Sequence, residues 1–115
     1  MSTITYNTEK LIAGDIKTLQ APLAADTYFR GMLLKYAAGS DYYEHDSSGI
    51  LAVAIYLGDS VSSSRVIAVN EDRDSIIVFG DIMEGGIVDD AGDAITITED
   101  MIAACAVNGL FIKRA

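Results

Sequence analysis

The sequence predicts a mainly β, α+β fold: a compact small β-barrel or tulip-like domain with one short C-terminal helix and an extended N-terminal arm. Three observations predict it. From Tyr28 onward the apolar segments are short, β-branched or aromatic, and separated by turn residues. Glycines close most of these runs, at Gly39, Gly49, Gly58, Gly80 and Gly92, where tight turns call for a positive φ. One stretch near the C-terminus breaks the pattern and carries helix-capping signals.

Residues 1–27 are polar and mixed, contain the only proline (Pro22), and show neither helical nor sustained strand periodicity. They read as an extended arm joined to an ordered lead-in near Leu11, with residues 1–10 a flexible arm and 11–115 a single β-rich domain. Strands are then expected in "MLLKYAAG", "DYYEHDSSG", "ILAVAIYLGD", "SSSRVIAVNEDRD", "SIIVFGD" and "AITIT". The run Ile76–Phe79 lacks alternation and so predicts a strand buried on both faces. Thr98 can cap a helix whose first turn holds Glu99 and Asp100, "MIAACAV" continues it, and Asn108-Gly109 supplies a left-handed stop. "LFIKR" reads as a last short strand.

Composition narrows function. A chain of 115 residues with half its residues hydrophobic is one packed domain. Its formal charge is -9, and its bases are scattered singly apart from Lys113-Arg114, so no stripe could track a phosphate backbone and nucleic acid is not an expected partner. The longest apolar run, "ILAVAIYL", is far short of the ~20 residues that span a bilayer, and no export signal is expected. The lone Cys105 cannot form an internal bridge and sits in the apolar helical stretch, which suits a chain made in a reducing cytoplasm.

No catalytic set assembles from the residues. "GDSV" at 58–61 resembles the way one group of esterases presents a serine, but the only histidine, His45, lies upstream of Ser60. His45 has Asp41, Glu44 and Asp46 around it, yet in a strand Glu44 and Asp46 face away from His45, which argues against a metal site. Asn70, Asp72 and Asp74 have the spacing of a calcium loop, but Ser75 stands where that loop needs glycine. Glu84, Asp89, Asp90 and Asp93 read as a flexible, solvated loop. No enzyme activity and no cofactor are therefore expected.

The order of segments is informative. An "RGMLLKY" strand start (Arg30, Gly31, Leu33, Leu34), a tyrosine-and-acid turn, "IIVFGDI" with Gly80, "AITITED", a short helix and "NGLFIK" together resemble the head decoration proteins of tailed bacteriophages, the lambda-type capsid-stabilising family. The likeness runs over roughly residues 8–114, and "ILAVAIYLGDSVSSSR" makes the middle of the chain longer than that arrangement. The resemblance implies a viral structural protein on the outer surface of the expanded virion head. It would form a homotrimer, clamp the major capsid protein, and resist genome pressure. It also implies that the arm adds a strand to the capsid subunit. Here that role falls on Thr3, Ile4, Thr5 and Tyr6, whose alternation suits an added strand. Tyr42 and Tyr43 are candidates for a subunit or capsid contact, since amphipathic rings suit interfaces. The rival expectation is a small β-rich domain binding a carbohydrate or acting as a carrier. A carrier needs a lysine at a hairpin tip, and neither Lys35 nor Lys113 occupies one.

Overall fold

A computed structural model describes residues 11–58, 64–70 and 72–114. Among the described residues there are eight strands, β1 (Ile12–Leu23), β2 (Asp26–Phe29), β3 (Leu33–Ala37), β4 (Tyr42–His45), β5 (Ala54–Tyr56), β6 (Ser64–Ile67), β7 (Asp72–Met83) and β8 (Leu110–Lys113), with helix α1 (Glu99–Val107) before the last. The main sheet runs β1-β4-β3-β5-β7-β8, and β1 also pairs with β7, so five strands close on themselves in a barrel-like ring. β2 and β6 form a separate antiparallel ribbon. The fold is mainly β with one short helix, as the sequence predicts.

The central strands are buried on both faces because neighbouring residues feed different clusters. Leu33, Ile55 and Ile77 join Met101, Cys105, Leu110 and Ile112 beneath α1 and β8. Leu34, Ala54, Tyr56 and Ile76 join Tyr28 and Ile67 beneath the β2–β6 ribbon. The register agrees: Ile55 stands opposite Ile77, and Tyr56 opposite Ile76. A fully buried side chain of this size contributes roughly 1.5–3 kcal/mol, so this double layer is the main source of stability.

Several expectations need correction. The chain before Tyr28 contains β1, a twelve-residue strand, where no sustained strand was expected. Its periodicity is hidden by register shifts between Ile12 and Ile16 and between Lys17 and Thr18, the second of which leaves Val78 as an extra residue on β7. That bulge also turns Phe79 outward to 46% exposure, so the buried run ends at Ile77 rather than at Phe79. Gly80 does not end a strand; it lies inside β7, where an added Cβ would run into the Asp15 carbonyl and Ile16 of β1. "AITIT" is not a strand: only Ala94 makes a bridge, to Val88, although Ile97 is buried.

The segment after β7 is pinned rather than loose. A 3-10 turn at Glu84–Gly86 leads to a fully buried Ile87, and Val88 bridges to both Met32 and Ala94. The helix follows its sequence signals closely. The Thr98 hydroxyl accepts from the Met101 amide at 3.3 Å, and Gly109 takes φ +87° after Asn108.

Candidate functional site

Thr3, Ile4, Thr5 and Tyr6 lie outside the described residues, as does Ser60 of "GDSV". Tyr42 and Tyr43 lie on β4 and are half-buried. Tyr43 stands opposite Tyr36 of β3, and the two rings meet edge to face at 5.3 Å between centroids. Tyr43 also packs against the cluster under the β2–β6 ribbon. Its ring is thus partly committed to the fold, while Tyr36 is 47% exposed. Sequence reasoning missed Tyr36 as the outward member of this pair. The cue was present, because a short antiparallel hairpin between "LLKYA" and "YYEH" brings one tyrosine opposite another.

The fourth tyrosine of this region is structural. Tyr28 is fully buried and its hydroxyl donates to the Ala24 carbonyl at 2.7 Å. Burial, reinforced by nearby Asp26, Glu44 and Tyr42, pushes its phenol far above the ordinary range. It therefore stays neutral and keeps the proton that it donates to Ala24.

His45 lines a small open pocket of about 160 Å³ together with Leu33, Asp46, Asp89, Asp90 and Met101. Asp46 is buried, but both carboxylate oxygens are occupied: Oδ1 accepts from the Ser48 amide and hydroxyl, and Oδ2 from the Leu51 amide. It holds the loop after β4 in shape. Asp89 is held below the usual carboxylate range chiefly by the Asp93 and Ala91 amides, with His45 a smaller influence. Among the described residues no group of three or more His, Cys, Asp or Glu is placed to hold a metal ion. Asn70 and Asp72, from the calcium-like spacing, serve the fold instead: the Asn70 side chain accepts from the Ala25 amide, and Asp72 pairs with Arg65 at 3.1 Å.

Lys35 lies inside β3 and pairs with Glu44 at 3.7 Å, and Lys113 lies in β8, 3.9 Å from Asp81. Neither is a free hairpin-tip amine. Among the described residues no helix is long and apolar enough to cross a membrane. Comparison with models of known protein families, with curated proteins and with solved structures finds no match.

Proposed function

We propose that this protein is a capsid decoration protein. In this reading it binds the outer surface of an expanded bacteriophage head as a homotrimer and stabilises the shell against the pressure of the packaged genome. It carries out no catalysis and needs no cofactor. The observation that carries the reading is the order of segments, from "RGMLLKY" through "IIVFGDI" and the capped helix to "NGLFIK", now seen to fall on β3, β7, α1 and β8 of a single barrel-like body.

The junction at Leu11 supports the arm's role. Leu11 is 2% exposed and its carbonyl accepts from the Met83 amide at 2.7 Å, so the body is anchored where the arm joins it. The "TITY" segment precedes that anchor and carries the alternation of an added strand. Many copies binding a lattice present only after expansion stabilise that state by their differential affinity for it.

The test is co-sedimentation with expanded, undecorated heads of its own virus and, in parallel, with unexpanded heads. Saturable binding to the expanded form alone, near one copy per capsid subunit, is the expected result. Binding to neither form would overturn the reading. A chain starting at Leu11 should fold and lose head affinity; equal affinity would remove the arm from the mechanism.

The alternative, a small ligand-binding domain, is favoured by one observation, the pocket at His45. Its volume of about 160 Å³ is below the roughly 300–1,000 Å³ of ordinary ligand sites, which places this reading second.

A further inference from the structure

Asparagine occurs three times in the chain, at Asn7, Asn70 and Asn108, and only Asn108 is followed by glycine. The pairing matters chemically. A backbone amide nitrogen can attack the side-chain carbonyl carbon of the asparagine before it, and a glycine, with no Cβ to crowd the approach, allows this most readily. Asn108 and Gly109 form the whole connection between α1 and β8. Gly109 stands there for a conformational reason, because at φ +87° it makes the left-handed stop that turns the chain from helix into strand. The requirements of the turn thus place a reactive dipeptide at the end of the helix.

The folded geometry keeps the reacting atoms apart. The Asn108 side-chain amide donates to the Ala52 carbonyl at 3.0 Å and to the Ala104 carbonyl at 3.3 Å, which ties the carboxamide to the loop after β4 and to the helix. The Gly109 amide donates to the Ala106 carbonyl at 3.1 Å, so its N–H is turned back along the helix. Closing a five-membered ring needs the Gly109 nitrogen eclipsed with Cβ of Asn108. At φ -98° and ψ 9° that nitrogen is instead nearly eclipsed with the nitrogen of Asn108 itself. Asn108 is exposed, so water reaches it and burial does not protect it. Protection comes from these bonds and this backbone, and all of it is lost together when the turn opens.

We propose that Asn108-Gly109 is a site of spontaneous deamidation gated by the turn between α1 and β8, so that a chain which opens there is marked irreversibly. The Gly109 nitrogen bonds to Cγ of Asn108, the Cγ–Nδ2 bond breaks, and Nδ2 leaves as ammonia with the proton that Gly109 gives up through water. Water then opens the cyclic imide at either carbonyl, giving aspartate or isoaspartate at position 108. Nothing is oxidised or reduced, and water is the only co-reactant. The product acid is ionised at neutral pH. It has no N–H to offer the Ala52 and Ala104 carbonyls, and it sets a negative charge at the C-terminal end of the helix, where the dipole disfavours one. Isoaspartate also lengthens the backbone by one carbon and disturbs the step into β8. Either product weakens the turn whose opening allowed it. This chemistry is independent of the proposed function.

The test is peptide mapping by mass spectrometry of the full chain held at mildly alkaline pH, native in one arm and unfolded in urea in the other. Isoaspartate is counted separately by enzymatic methylation, and the peptide "AVNGLF" gives the intrinsic rate in both solvents. In the unfolded chain Asn108 should convert as the peptide does, well ahead of Asn70. In the native protein it should convert roughly tenfold or more slowly, because the rate follows the fraction of time the turn is open. Asn108→Asp, which installs one product directly, should exchange its Gly109 amide hydrogen roughly tenfold faster than wild type, read residue by residue by NMR. Equal rates in native and unfolded protein overturn the gating, and an unfolded chain that converts Asn108 no faster than Asn70 overturns the site. Unchanged exchange in Asn108→Asp overturns the claim that the product weakens the turn.

Discussion

The Tyr56 hydroxyl donates a 2.7 Å hydrogen bond to Oδ2 of Asp74, and the same oxygen lies 2.9 Å from Nη1 of Arg65. Three elements, β5, β6 and β7, are joined at that one atom. Burial is the largest single influence on Asp74 and pushes its carboxyl up, but the bonds from Tyr56, the Ser75 amide and Arg65 together hold it below the usual range. A carboxyl depressed in the folded state adds stability above its unfolded value, about 3.8, and loses it as pH falls further. Tyr56→Phe should therefore cost about 1 kcal/mol near neutral pH. It should also flatten the acid limb of stability below about pH 4, because the folded carboxyl moves back toward its ordinary value. Urea melts across a pH series read both effects; an unchanged acid limb would show that Arg65 and Ser75 suffice.

Gly31 and Gly39 separate conformational need from space. Both have positive φ, +99° and +84°. An added Cβ at Gly31 would strike the Gly86 carbonyl, whereas at Gly39 nothing lies within 4 Å. Gly31 is also held at both ends, its amide donating to the Tyr56 carbonyl and its carbonyl accepting from the Val88 amide. Gly39→Ala should cost about 1 kcal/mol of backbone strain alone. Gly31→Ala should cost about 3 kcal/mol or more, since the 84–88 segment must shift as well. Thermal melts of the two variants give the comparison, and equal losses would mean that the Gly86 backbone yields freely.

The tyrosine hairpin offers a direct measure of how far Tyr43 belongs to the fold. Tyr36 and Tyr43 meet edge to face across β3 and β4, a contact worth roughly 0.5–1.5 kcal/mol beyond simple burial. A double-mutant cycle of Tyr36→Ala and Tyr43→Ala should return a coupling of about 1 kcal/mol. Tyr43→Ala should be the more damaging single change, because Tyr43 also packs on the inner cluster. A coupling near zero would free both rings for a partner.

What was legible in the sequence was what is chemically local. Thr98, Glu99 and Asn108-Gly109 mark the helix because a cap and a left-handed stop are made by the residues that occupy them. β3, β4 and the body of β7 were legible from β-branched and aromatic content. β1 was not, because it exists by pairing with β7 some fifty residues away: Leu19 stands opposite Ile76, and Ala21 opposite Asp74. Its bulges break the period of two, and Ile12, Ile16, Ala21 and Leu23 therefore show no regular spacing. "AITIT" failed in the opposite direction. Its alternation is real, with Ile95 and Ile97 turned to the core, but only Ala94 finds a bridge. At the candidate site, the tyrosines were visible as residues and invisible as a pair, since partnership depends on hairpin register.

Cys105 ties the helix to the core and reports on whether α1 stays in place. Its side chain is fully buried, and burial, with the Asp46 charge adding to it, pushes the thiol up to about 11. The thiolate needed for reaction is therefore scarce at neutral pH, and a charged reagent has no path to the sulfur. A thiol raised in the folded state adds stability that is complete below its unfolded value, about 9, and is lost as pH climbs through the folded one. At pH 8 the native protein should resist a charged disulfide reagent, and denaturant should release one thiol per chain. Val107→Glu should leave that protection intact, because Val107 points away from the buried side of the helix. Rapid labelling of native protein would mean that α1 opens readily, and with it the Asn108-Gly109 turn.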